Sequence, residues 1–144
     1  IHSELSKNFK TAKKILEKKF YWEKRGLSDE LYQAPIITYD KMKLPNFKYL
    51  RPYLEAAHIK AKKYLSSKQL YALDVLDALL ESSKFQLRYK MQKGDILFNL
   101  DSKVLHGRAS FSDSLDALPL EKIINNENRL KRTMIRVWIK RKSK

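Results

Sequence analysis

Cysteine is absent from the 144 residues, which excludes disulfides, zinc–thiolate sites and thiol catalysis. Glycine is almost as scarce, with 3 residues where ordinary usage of about 7% would give roughly ten. A fold with many tight turns draws on glycine for positive-φ positions, so this composition sits poorly with a complete, turn-rich β architecture. Acidic residues number 16 against 31 basic ones, for a formal net charge of +15. Such a field attracts anions, whether nucleic acid, a membrane surface or small acidic ligands. No apolar run approaches the roughly 20 residues of a membrane span. No signal-peptide pattern stands at the first residues, and the expected location is cytoplasmic.

Apolar residues make up 43% of the chain and charged residues 33%, the balance of a folded rather than a disordered protein. The length suits one domain over 1–144. Residues 8–25 read as a helix, because Phe9, Ala12, Ile15, Leu16, Phe20 and Trp22 recur at three- to four-residue spacing before Gly26. Pro35-Ile36-Ile37-Thr38-Tyr39 reads as a short strand. Residues 46–65 read as helical, with Pro52 marking a break or a fresh start. Ser66 and Gln69 form a capping-box pattern, and the helix they open carries Leu70, Leu73, Leu76 and Leu80 on one stripe.

After Ser83 the period falls to two: Phe85, Leu87, Tyr89 and Met91 alternate with polar residues. Gly94-Asp95 marks a turn, and Ile96 to Phe98 resumes extended structure. A further strand, Val104-Leu105, delivers His106. Residues 112–128 read as a polar surface excursion, and a last strand is expected over 131–140. In that strand Arg132, Met134, Arg136 and Trp138 share one face, while Thr133, Ile135, Val137 and Ile139 form a core face. The arginine face is either the solvent side of an edge strand or a guanidinium fork matched to a carboxylate.

The chain has three histidines. His58 lies in a helical run without an acidic partner at ligand spacing and reads as structural or exposed. His2 and Glu4 flank one residue, so on a strand both point the same way. A His-x-Glu pair with a distant histidine is the donor set of a facial triad with open positions, which suits non-haem Fe(II).

Gly94-Asp95-Ile96-Leu97-Phe98, then Val104-Leu105-His106-Gly107-Arg108 with Phe111 and Asp113, then Arg132 to Trp138, resemble the C-terminal half of the TauD/TfdA-like Fe(II)/2-oxoglutarate-dependent dioxygenases. Ile1-His2-Ser3-Glu4 is similar to that family's first metal motif, and its glutamate resembles the clavaminate synthase-like and amino-acid hydroxylase branch. The resemblance implies an α+β chain with a double-stranded β-helix (jelly-roll, cupin-like) core and flanking helices. It implies His2, Glu4 and His106 as iron ligands and Arg132 as the grip on 2-oxoglutarate. Arg136 would lie near the substrate or support the cosubstrate, and Arg108 would sit behind the metal histidine. The reaction implied consumes O2 and 2-oxoglutarate and hydroxylates or desaturates an unactivated C–H bond. Glu4 argues against halogenation, which needs a vacant position for chloride.

Three departures from the family pattern stand out. Asn99-Leu100-Asp101 replaces the usual paired polar residues, and His106 lies 26 residues before Arg132, a long interval. The first motif also stands at the start of the chain rather than in its middle. A jelly-roll needs about eight strands and five or six are legible, so the expectation is a core incomplete over these 144 residues, with segments absent before Ile1 and near Ser6–Phe9. The expected partner is a small-molecule substrate, amino-acid-like or amine-bearing; the basic surface favours an acidic substrate or an acidic carrier protein. The rival reading is a basic nucleic-acid-binding module without catalysis, against which no helix-turn-helix, zinc-finger or RNP-type signature is found.

Overall fold

Four α-helices and two small antiparallel sheets are the regular structure of residues 1–24, 30–107, 135, 137 and 139, which the computed structural model describes. Their order is α1 (His2–Asn8), α2 (Lys10–Leu16), β1 (Lys19–Glu23), β2 (Leu31–Pro35), β3 (Ile37–Tyr39), β4 (Pro45–Phe47), α3 (Arg51–Lys60) and α4 (Ser67–Glu81), followed by a 3-10 turn at Ser83–Phe85. All belong to the first of two units, Ile1–His106; the second is Gly107–Lys144. In the second unit Ile135, Val137 and Ile139 are exposed and carry no regular structure, so the core face expected for them is not found.

The helix expected over 8–25 stops at Leu16. Phe20 and Trp22 lie two apart, and on β1 that spacing buries both while Lys19 is exposed and Tyr21 and Glu23 are half-buried. Three consecutive aromatics favour a half-buried pleated strand over another helical turn. β1 pairs with β2 so that Phe20 faces Ala34 and Trp22 faces Tyr32, and the Trp22 indole N–H donates to the Ala34 carbonyl at 2.9 Å. The single strand expected over 35–39 is divided at Ile36. Adjacent residues of one strand face opposite sides, and the bend lets Ile36 and Ile37 both enter the core. The Ile36 N–H donates to the Leu16 carbonyl at 3.0 Å, and the Ile36 carbonyl accepts from the Lys48 N–H at 2.9 Å.

α3 begins at Arg51, with Pro52 in the first turn where its missing N–H leaves no intrahelical bond unmade. The capping box of α4 forms as its letters suggest: Ser66 Oγ accepts from the Gln69 N–H at 3.3 Å, and Gln69 Oε1 accepts from the Ser66 N–H at 3.0 Å. Of the expected stripe of α4, Leu73 and Leu76 are buried, together with Ala72 and Leu79, while Leu80 is half-buried and Leu70 is exposed. α2 packs on α4 and α3 on β1. Leu5, Leu16, Phe20, Ile36, Ile37, Leu54, Leu73 and Leu76 are fully buried between them.

The chain is thus α+β, and among the described residues no jelly-roll is formed. The period-two run after Ser83 makes no strand: Leu87 is 97% exposed, and Ile96, Leu97 and Phe98 are exposed as well. A strand is stable only where neighbours take up its N–H and C=O groups, and no described strand runs beside this segment. No described helix is long and apolar enough to cross a membrane.

Candidate functional site

His2 and Glu4 lie on α1, not on a strand. A helix advances about 100° per residue, so positions two apart diverge instead of sharing a face. His2 Nε2 meets the Tyr39 hydroxyl at 3.0 Å, and that hydroxyl donates to Glu17 Oε1 at 2.5 Å. With its proton committed to Glu17, the Tyr39 oxygen accepts, so His2 is the Nε2–H donor. Lys13 closes the group through Glu17 at 2.9 Å. Desolvation, then the Lys13 charge, holds the His2 imidazole below its ordinary pKa. Glu4 turns the other way, where its carboxylate accepts from the Asn8 amide and, at 3.2 Å, from Lys84 Nζ. The Asn8 bond first and the Lys84 bond second keep its carboxyl below the usual range.

His106 is exposed, with Nδ1 3.8 Å from Asp101 Oδ1. The segment leading to it is tethered to the β3–β4 hairpin. Lys103 Nζ donates to Asp40 Oδ2 at 2.7 Å and to the Pro45 carbonyl at 3.1 Å, and the Phe47 N–H donates to the Ser102 carbonyl at 2.9 Å. Asp40 Oδ1 meanwhile accepts from the Met42 and Leu44 N–H groups at 2.9 Å each, closing a turn in which Lys43 has φ 59°. Lys103 first, then the backbone donors, lowers the Asp40 pKa. The tether therefore persists above the ordinary carboxylate range and is lost as pH falls through the lowered value. Lys103→Met is expected to speed amide exchange at Phe47 and through 100–106 several-fold while leaving α4 protected, which hydrogen–deuterium exchange would read. Unchanged exchange at Phe47 would show that the backbone bond alone holds the segment.

Arg108, Arg132 and Arg136 lie outside the described residues. Sequence reasoning missed Tyr39, the residue that holds His2, since it lies 37 positions away and nothing in its neighbourhood marks it. It also missed the group formed by Arg51 with Glu55, Asp74 and Asp77, whose members stand on α3 and α4.

The chain is α+β, a Gly-Asp turn and a tethered segment lead to His106, and His2 and Glu4 stand apart on α1. The model of the taurine catabolism dioxygenase TauD, TfdA family matches residues 1–138, and the chain belongs to that family. Membership implies a dioxygenase, and the family typically uses Fe(II) and 2-oxoglutarate. No curated protein and no solved structure matches the chain significantly.

Two imidazoles and a carboxylate are suitable donors for Fe(II). Their placement is not suitable: among the described residues no three His, Asp or Glu side chains lie together so as to hold a metal ion. His2 and Glu4 are engaged with Tyr39 and with Asn8 and Lys84. As placed, the three residues do not fit the ion.

Proposed function

We propose that the protein is a non-haem Fe(II)- and 2-oxoglutarate-dependent oxygenase of the clavaminate synthase-like branch. It hydroxylates or desaturates an unactivated C–H bond of a small, amino-acid-like metabolite. The observation that carries this reading is the reach of the family match, which spans both His2-Ser3-Glu4 and the run from His106 to Trp138. On this reading His2, Glu4 and His106, which do not meet as placed, are drawn together as the ligands; Arg132 grips the cosubstrate, Arg136 lies near the substrate or supports the cosubstrate, and Arg108 sits behind the metal histidine. The reading includes a double-stranded β-helix core. Support comes from Leu87, Tyr89, Ile96, Leu97, Phe98 and Leu100, a strand-patterned apolar series left exposed, which is the chemistry of strands still lacking neighbours.

Anaerobic addition of Fe(II) and then 2-oxoglutarate should give the weak visible charge-transfer band of the bound chelate. His106→Ala should abolish the band. Arg132→Ala should raise the 2-oxoglutarate concentration required at least tenfold, about 1.4 kcal/mol. A folded chain that gives no band sinks the reading. A second reading, nucleic-acid binding, is favoured by the groove between α2 and α4 where Lys14, Lys18 and Lys68 stand beside Tyr71. Salt-sensitive mobility shifts without the band would support it.

A further inference from the structure

A cavity of about 490 Å³ opens beside the β1–β2 hairpin, lined by the rings of Trp22, Tyr32, Tyr49 and Tyr53, by Leu50 and by the ammonium of Lys48. None of these residues belongs to the candidate metal set. The antiparallel register places Trp22 opposite Tyr32, and Lys48 follows directly on β4. Lys48 Nζ lies 4.9 Å from the Trp22 ring centroid and 4.6 Å from that of Tyr32, and donates to the Tyr32 hydroxyl.

The other charges at the cavity have partners. Lys24 pairs with Glu30 at 2.6 Å, and Glu23 pairs with Lys60 at 3.5 Å. The Tyr49 hydroxyl donates to Asp77 at 2.6 Å. Among the described residues no carboxylate is paired with Lys48. Its contacts are ring faces and one phenol, which attract a cation without neutralising it. Desolvation against those rings lowers the pKa of the ammonium, and an anion beside it would reverse that cost.

We propose that this cavity binds a small aromatic carboxylate, with its carboxylate on Lys48 Nζ and its ring against Trp22, Tyr32 and Tyr53. The volume lies within the roughly 300–1,000 Å³ of small-ligand sites, whose walls are mostly apolar with a few placed polar groups. One ammonium without a guanidinium suits a monoanion better than a phosphate, which favours bidentate or multiple donors. Aromatic walls favour a flat apolar body over an aliphatic acid. The proposal does not depend on the oxygenase reading.

Phenylacetate is the probe, with acetate and phenethylamine as controls, titrated calorimetrically into the full chain at constant ionic strength. Saturable one-to-one binding of phenylacetate is expected, with acetate at least tenfold weaker and phenethylamine silent. The indole N–H resonance of Trp22 should shift during the phenylacetate titration. Lys48→Met should weaken phenylacetate at least tenfold and Tyr53→Ala several-fold, both with the wild-type circular dichroism spectrum. Wild-type affinity in Lys48→Met would overturn the proposal, as would acetate matching phenylacetate or an absence of saturation. Should Lys48→Met fail to fold, the acetate and phenethylamine comparisons on the wild-type protein still decide.

Discussion

His58→Ala is expected to lower the thermal midpoint by about 10–18 °C, from a loss of roughly 3–4 kcal/mol. The imidazole is the one buried polar side chain among the described residues, at 4% exposure. It bridges two pieces of backbone. Nε2 accepts from the Tyr21 N–H of β1 at 3.1 Å, and Nδ1 lies 2.7 Å from the Lys63 carbonyl beyond the end of α3. An N–H on one side and a carbonyl on the other leave a single arrangement that satisfies both: a neutral ring with its proton on Nδ1. The ring edges also meet Phe20 at 5.9 Å and Tyr21 at 5.3 Å. Alanine strands a donor and an acceptor, at about 1–3 kcal/mol each, and opens a cavity. Against a total stability of about 5–15 kcal/mol, that is a large fraction. His58→Phe separates the two contributions, since it refills the volume and restores neither bond. Thermal unfolding of both variants provides the check, and a wild-type midpoint for His58→Phe would show that the two hydrogen bonds contribute little.

The same residue shows what the sequence could reveal. His58 reads as structural or exposed, and the fold buries it. The bonds that make it structural, however, reach Tyr21, 37 positions away, which no local pattern encodes. Ser66 and Gln69 were legible because a capping box is complete within four residues. Phe20 and Trp22 were misread because residues eight and ten positions after Ala12 can continue either a helical stripe or a strand face. The β2–β3 bend turned Ile36 and Ile37 into two core residues by the same tertiary demand. At the candidate site the letters sufficed for the family, and the family match bears that out. They did not fix the backbone of His2-Ser3-Glu4. That stretch joins a helix because Leu5 enters the core and Glu4 finds Asn8 one turn on, and both preferences are silent in a two-letter motif. The arginine strand, Arg132 to Trp138, rests on its spacing and its resemblance.

Arg51→Met is expected to cost about 2–3 kcal/mol at low salt, and less at high salt. Arg51 Nε donates to Glu55 Oε1 at 2.7 Å, and Nη1 donates to Asp74 Oδ1 at 2.7 Å and to Asp77 Oδ2 at 2.5 Å. One guanidinium thus binds its own helix and fastens α3 to α4, while Tyr49 holds the other oxygen of Asp77. Exposed pairs contribute about 0–1 kcal/mol and broken buried pairs cost about 3–5. The Arg51 side chain is 26% exposed, so an intermediate value is the physical expectation. The bonds to Glu55, Asp77 and Asp74 raise the guanidinium pKa, and burial of the Tyr49 phenol, followed by its bond to Asp77, raises that of the tyrosine. Both groups keep their protons throughout the accessible range. Methionine preserves the apolar stem and leaves three negative charges facing one another. Salt screens that repulsion, so the deficit relative to wild type should shrink as ionic strength rises, whereas a deficit due to lost packing would not. Urea unfolding of wild type, Arg51→Met and Arg51→Lys at low and high salt distinguishes these cases. Lysine restores one charge without the fork and should fall between the other two. An equal deficit at both salt concentrations would assign the role of Arg51 to its methylenes and leave the three carboxylates as surface groups that share a neighbour by proximity alone.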